Sequence, residues 1–319
     1  MLSSSNTPTI AKRLRAERPE WSWNACRRAI MAGRILIDGK PALDPAARID
    51  ADQQLQIMAS GSKGVPCGRL KSNLMVHFFD EHLIVVEKPS GVESVPFTTK
   101  SSSGTDHKKQ DALTAIDMAR LFLENKEGRK LPPLRVVHRL DKGTSGVMVF
   151  ARTKLAERSL AILFRAHDIT RSYIAVCLGQ PTSGTIRSTL VEDRGDGRRG
   201  SQAWSGYKGA KGKEAVTHVT VLETKALPRD HALTMIECRL ETGRTHQIRI
   251  HLAESGHPLA GEKVYLIPSR GSDPILDDSN APRIALHAKE LGFKHPVSQK
   301  YLSWASPLPD DLKKWWDRA

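Results

Sequence analysis

The sequence predicts an α+β protein: one large domain built on a mixed, largely antiparallel sheet, preceded by a small unit of helices and a hairpin. Three observations carry this. Short apolar segments (LIVVEK, RVVHRL, GVMVFA, SYIAVCLG, VTHVTVLE and TMIECRLE) read as strands, and their neighbours often lie a hairpin's length apart. Helical spacing of apolar residues recurs near 111–124 and 154–166. A stretch rich in Gly, Ser and Lys, residues 59–73, reads as a linker between residues 9–58 and 74–319. At 319 residues the chain has room for one large domain and one small one.

The elements follow in order. Residues 1–8 read as disordered. Ile10 and Leu14 share a face of a first helix that ends at Pro19, and Ser22 caps a second helix running through Met31. Gly33 closes that helix, and RILIDGKPALD follows as strand, Asp-Gly turn, strand. Lys12, Arg13, Arg15, Arg27, Arg28 and Arg34 gather on the two helices and the turn after them, with few acids between, which suits contact with phosphates. Residues 98–110 read as a mobile polar loop. Residues 194–213 carry six basic residues against one acid, with Trp204 and Tyr207 among them, a mixture suited to stacking on bases and pairing with phosphates.

Composition narrows the function. The 49 Lys and Arg against 35 Asp and Glu give a net charge of +14, and a protein this basic usually meets a polyanion, nucleic acid first. Cys26, Cys67, Cys177 and Cys238 form no CxxC pair, which argues against a zinc ribbon or a disulfide framework and for a reducing cytosol. No apolar run approaches a membrane span, so the expectation is a cytoplasmic protein without membrane contact. A monomer is expected. GxxxxGK[ST] does not occur, and the one GxGxxG match, residues 195–200, sits in the polar 194–213 stretch instead of between a strand and a helix, so no nucleotide cofactor is expected.

Chemistry concentrates in three segments. HRLDKGTSG (138–146) places one carboxylate, Asp141, between two apolar runs, with Arg139 before it and Lys142 after it. ITRSYIAV puts Tyr173 in a strand of small and apolar residues. RLETGRTHQIRIHLAESGHP (239–258) reads as a strand, a Gly243 turn, and a helix capped by Thr245, with His246 and Arg249 on one face near its start. Familiar enzyme templates fail here. HRLD is not a kinase catalytic loop, because its Asp is one place late and no DFG exists. His246 and His251, five apart, are a poor metal pair on a helix. No GxSxG elbow is present, and a typical glycosidase needs two carboxylates where one stands out.

A single acid suits a reaction whose leaving group never leaves. These residues resemble the RluA-type RNA pseudouridine synthases. The resemblance rests on HRLDKGTSGVMVFA, the Tyr173 strand, GKEAVTH (212–218), LETGRTHQIRIHLAESGHPLAGEKVY (240–265) and LHAKELGFKHP (286–296), in order through about residues 75–305. Residues 10–57 resemble the α-L RNA-binding module of a small-subunit ribosomal protein. The resemblance implies isomerisation of uridine in RNA without cofactor or metal. It makes Asp141 the essential carboxylate, either attacking the anomeric carbon or removing a proton from the neighbouring sugar carbon. It pairs Arg249 with Asp141, stacks Tyr173 on the uracil, where it assists loss of the carbon 5 proton, and lets Arg139 fill the place of the flipped nucleotide. Arg244, His246, Arg27, Arg28 and Arg34 are expected to contact RNA.

The chain departs from the family pattern in WSW at 21–23, in a polar insertion at 266–282, and in the length of the 194–213 loop. Large-subunit ribosomal RNA is the favoured substrate, with transfer RNA as the alternative. A non-catalytic RNA-binding or ribosome-assembly factor with the same fold is the rival from another class.

Overall fold

The computed structural model describes residues 7–31, 35–38, 40–42, 44–50, 52–57, 74–96, 113–205, 211–228 and 231–319. The 59–73 stretch, the 98–110 loop, Gly33, Arg34 and Tyr207 lie outside the described residues, as does the side chain of Arg28.

The first unit comprises α1 (Ile10–Glu17), α2 (Trp23–Met31), β1 (Ile35–Ile37), β2 (Lys40–Pro41) and β3 (Leu55–Ile57). Thr9 opens α1 by accepting the Lys12 amide at 3.2 Å, and Ser22 accepts the Ala25 amide at the start of α2. The three strands pair antiparallel in the order β2-β1-β3. Ile10, Leu14, Cys26, Ile30, Ile35 and Ile49 close a core of their own. Two of the expected phosphate-binding cations are otherwise engaged. Arg13 pairs with Glu17, one turn on, at 2.8 Å, and Arg15 donates to the carbonyls of Pro19 and Trp21, tying down the chain beyond the helix. Lys12 and Arg27 are exposed.

The larger part runs β4 (Met75–Phe79), β5 (Leu83–Lys88), α3 (Ala115–Glu127), β6 (Arg135–Val136), β7 (Ser145–Ala151), α4 (Lys154–Ala166), β8 (Thr170–Leu178), β9 (Gly184–Val191), β10 (Gly200–Ser201), α5 (Gln202–Ser205), β11 (Lys213–Ala226), β12 (Ala232–Leu240), α6 (Gln247–Glu254), β13 (Leu286–Lys294), β14 (Tyr301–Ala305) and α7 (Asp310–Arg318). Its sheet has the order β10-β9-β11-β12-β8-β13-β7-β5-β4, with β14 on β13 and β6 on β7. Every described pairing is antiparallel except β13 with β7, so the sheet is mixed and largely antiparallel, as the strand spacing implies.

The unbroken apolar runs in β5 and β7 follow from burial on both faces. Ile84, Val86, Met148 and Phe150 pack against Ala119, Phe122 and Leu123 of α3. Leu83, Val85, Val147 and Val149 pack against Ala156 and Leu160 of α4. Farther along the sheet, Ala175, Cys177, Ile236 and Cys238 meet Ile248 and Leu252 of α6, while Val176, Leu178 and Leu233 meet Leu312 and Trp316 of α7. Tyr173 packs against both the α3 core and the α6 core, and so stands at the seam between them.

Sequence patterning overreaches in two places. RVVHRL keeps only Arg135 and Val136 as strand, because His138 turns inward to accept the Val149 amide at 3.0 Å and stacks on Phe164. The helix expected from Thr245 begins one residue later. His246, at φ 59° and ψ 19°, is its N-cap.

Candidate active site

Asp141 lies in the turn that enters β7, where its own carbonyl accepts the Thr144 amide at 3.0 Å. Main-chain contacts fix this loop from behind. The hydroxyl of Ser94 donates to the Leu140 carbonyl at 2.6 Å and accepts the Leu140 amide at 3.0 Å. Ser90 donates to the Gly143 carbonyl at 2.7 Å, and the Gly91 amide to the Lys142 carbonyl at 2.8 Å. Lys88, wholly buried, donates to the carbonyls of Pro89, Val92 and Lys142. Burial pushes its ammonium down to about 7, against the pull of the Asp141 charge. Gly146 has φ +121°, and a Cβ there would lie 2.2 Å from the Ala288 carbonyl oxygen, so only glycine lets β7 approach β13 this closely.

The opposite wall is the entrance to α6. Gln247 is a buried junction. Its Oε1 accepts the Arg244 amide at 3.0 Å and the Thr242 hydroxyl at 2.8 Å, and its Nε2 donates to the Val216 carbonyl and Thr217 hydroxyl, each at 3.0 Å. His251 bonds Thr217 and Ser188, each at 2.9 Å, and burial holds its pKa down to about 4. The dense polar pattern of TGRTHQIRIH therefore divides in two: Thr242, Gln247 and His251 lock α6 to the sheet, while Arg244, His246 and Arg249 remain for the site. Arg244 donates to the Glu214 carbonyl at 2.9 Å. Gly243 leaves room for the Arg171 guanidinium, whose Nη1 would lie 2.5 Å from a Cβ at that position.

Between these walls lies a cleft open to solvent, lined by Arg139, Leu140, Asp141, Thr144, Tyr173, Leu240, Arg244, His246, Gln247 and Ile248. Asp141 is 25% exposed at the side chain. Arg249 brings Nη1 to 3.6 Å from its Oδ2, and His246 brings Nε2 to 3.8 Å from its Oδ1. Arg139 is exposed at the rim. Burial raises the Tyr173 phenol above its ordinary range, against the lowering effect of Arg171, so it is protonated at neutral pH. The structure thus gathers Asp141, Tyr173, Arg249, Arg139, Arg244 and His246 at one cleft. Arg27 belongs to the first unit.

A second carboxylate stands close by, where the sequence suggests only one. Glu262, with a fully buried side chain, accepts from Arg249 Nε at 2.7 Å and Nη2 at 2.8 Å. Burial alone would raise its pKa, but Arg249 and the amides of Lys263 and Val264 outweigh this and hold it below the ordinary range. Arg249 therefore bonds Glu262 and only faces Asp141. AGEKVY belongs to the segment that carries the family resemblance, but the sequence gives Glu262 no role in it. Lys88, at the end of an apolar strand, is hidden in the same way.

The basic 194–213 segment also differs from expectation. Arg194 is 2% exposed and stacks on Trp204 with its guanidinium carbon 3.6 Å from the ring centroid, while Asp196 accepts from its Nε and Nη2. Trp204 covers a buried arginine, so that face is not open to a base.

Among the described residues no helix is long and apolar enough to cross a membrane, and no group of three or more His, Cys, Asp and Glu could hold a metal ion.

The family model of RNA pseudouridylate synthase matches residues 82–254, from the start of β5 to the end of α6, which includes both walls of the cleft. Over 93% of its length the chain is 33% identical to the ribosomal large subunit pseudouridine synthase D of Xanthomonas campestris, covering 84% of that protein. It is 34% identical over 92% of its length to the protein of the same name from Pseudomonas aeruginosa, covering 86% of it. Among solved structures, human RNA pseudouridylate synthase domain containing 1 superposes with a TM-score of 0.55 at 25% identity, over 74% of this chain and 84% of that one. Human RNA pseudouridylate synthase domain containing 4 gives 0.57 at 24% identity, over 76% and 92%, a likeness of fold. With the match spanning both walls of the cleft, the chain belongs to the RNA pseudouridylate synthase family.

Proposed function

We propose that this protein isomerises uridine to pseudouridine in large-subunit ribosomal RNA, with Asp141 as the essential carboxylate. The observation that carries the reading is that Asp141 and Tyr173 line one cleft, in a chain whose relatives are named for that RNA. The glycosidic bond from N1 to the sugar breaks, the uracil turns in place, and carbon 5 bonds to the sugar carbon. Carbon 5 loses its proton and N1 gains one, so no atom is consumed. Asp141 either attacks the anomeric carbon or takes a proton from the neighbouring sugar carbon. Both need an ionised carboxylate with an open approach, and the Arg249 cation at 3.6 Å supports its charge without bonding it.

Tyr173 stacks on the uracil and assists the loss of the carbon 5 proton. Because burial keeps the phenol protonated, its oxygen accepts that proton only as its own is passed on. The target base must leave its stack to reach the cleft, and Arg139 at the rim fills the space it vacates. Arg244 and His246 contact the RNA at the α6 entrance.

Residues 9–58 act as an RNA-binding domain of the α-L type, with Arg27, Arg28 and Arg34 on phosphates and residues 59–73 as the linker to a catalytic domain of 74–319. Replacing Arg27 with Glu should lower RNA affinity and flatten its dependence on salt; unchanged affinity would remove Arg27 from the interface.

The reaction is tested by release of tritium from RNA labelled at carbon 5 of uridine, with ribosomal and transfer RNA pools assayed separately. Release from the ribosomal pool is expected. Release from the transfer RNA pool alone would overturn the substrate, and release from neither would overturn the activity.

A further inference from the structure

Both groups that flank Asp141 are held from behind by one short segment, residues 261–265. Glu262 takes two donors of Arg249, and Tyr265 shares a 2.7 Å hydrogen bond with Nδ1 of His246. The segment is itself fixed. The Ala260 amide donates to the Val176 carbonyl of β8 at 2.9 Å, and the Ala285 amide to the Ala260 carbonyl at 2.8 Å. Gly261, at φ +79°, passes so close to Arg283 that a Cβ would lie 2.2 Å from that residue's carbonyl oxygen. The Lys263, Val264 and Tyr265 amides all point at Glu262 Oε1, at 2.9, 2.8 and 3.4 Å. Tyr265 is 2% exposed, and the Arg249 guanidinium carbon lies 5.1 Å from its ring centroid.

We propose that Glu262 and Tyr265 are positioning residues for the isomerisation: they keep Arg249 and His246 facing Asp141 but outside hydrogen-bond range of it. This rests on the function proposed above. The charges support it. Two carboxylates share one guanidinium, so the Asp141 charge is only partly compensated, which leaves the carboxylate free to act as nucleophile or base. Without Glu262, the Arg249 fork is free to close on Asp141 as a bidentate pair, the preferred geometry of those two groups. A Tyr265 hydroxyl that donates to Nδ1 leaves the imidazole proton on Nε2, the nitrogen that faces Asp141. Burial supports both protonation states, raising the tyrosine pKa and lowering that of the histidine. The groups that bear on His246 are Asp141, Arg249, Glu262 and Tyr265, with Arg199 reaching it from the loop after β9.

The test is single-turnover tritium release by Glu262→Gln and Tyr265→Phe beside the wild type, with RNA affinity and thermal unfolding measured on the same samples. Misplacing a reacting group by about 1 Å costs about 10²-fold, and that is the loss expected in the rate constant of Glu262→Gln, with RNA affinity within about twofold of wild type. Tyr265→Phe, which removes one oxygen, should lose about tenfold at unchanged affinity, since one hydrogen bond is lost while the ring still packs. A folded Glu262→Gln at the wild-type rate overturns the proposal. So does a loss of affinity equal to the loss of rate, which would make the segment part of the RNA-binding surface instead. If Glu262→Gln does not fold, Tyr265→Phe decides, and the wild-type rate there overturns it. An inactive wild type would count against the proposed function and not against this pairing.

Discussion

Across the cleft, the Asp141 loop is held by main-chain carbonyls and short hydroxyls, whereas the α6 entrance is held by buried side chains bonded to one another. Lys88, Ser90 and Ser94 grip the Asp141 loop through its backbone, and Gly146 lets it run against β13 without a side chain between them. Gln247 and His251 instead satisfy every one of their ring and amide groups on Thr217, Val216, Thr242, Ser188 and the Arg244 amide. The difference teaches where each wall is vulnerable. The first should fail through backbone geometry, the second through protonation or loss of a partner.

Gly146→Ala should give the larger effect. Its methyl group would meet the Ala288 backbone, which cannot swing aside as a flexible side chain can. Overpacking combined with a positive φ should cost about 3 kcal/mol or more, read from urea unfolding. Stability within about 0.5 kcal/mol of wild type, the range of an ordinary surface change, would mean the two strands can part, and the contrast between the walls would fail.

The second wall should respond to acid. The His251 pKa is lowered from 6.5 to about 4, so the unfolded chain takes up this proton before the native one does. Stability from this group is therefore complete above pH 6.5, falls as the pH is lowered towards 4, and levels below that. The loss is about 3 kcal/mol, and a His251→Gln variant should lack that part of the pH dependence. Identical unfolding curves for variant and wild type at pH 7 and pH 4 would remove His251 as the weak point of this wall.

Much of the site is legible in the sequence, for a physical reason. A polar cluster between apolar runs, as in HRLDKGTSG, costs free energy in a buried sheet unless its groups are paired or used, so it stands out. TGRTHQIRIH stands out in the same way, although the sequence cannot divide its residues between the helix lock and the cleft. The roles of Glu262, Tyr265 and Lys88 are illegible for the opposite reason: by composition each suits a surface or a strand end, and only the fold buries it against Arg249, His246 or the Asp141 loop. The same limit misreads Arg194 and Trp204, whose partners are each other. In the fold, apolar runs in β5 and β7 are plain, but a two-residue strand such as β6 has no periodicity to read. The one-residue shift at α6 arises because His246 occupies the left-handed region, which is uncommon for any residue but glycine.

The most direct test of the central claim is tritium release from carbon 5 of uridine in ribosomal RNA by Asp141→Asn, with RNA affinity measured on the same protein. The substitution keeps the shape of the side chain, removes its charge and turns one acceptor oxygen into a donor. The account predicts no detectable release while affinity stays within about threefold of wild type, since phosphate contacts and not this carboxylate supply the binding. Release by Asp141→Asn at the wild-type rate would contradict it.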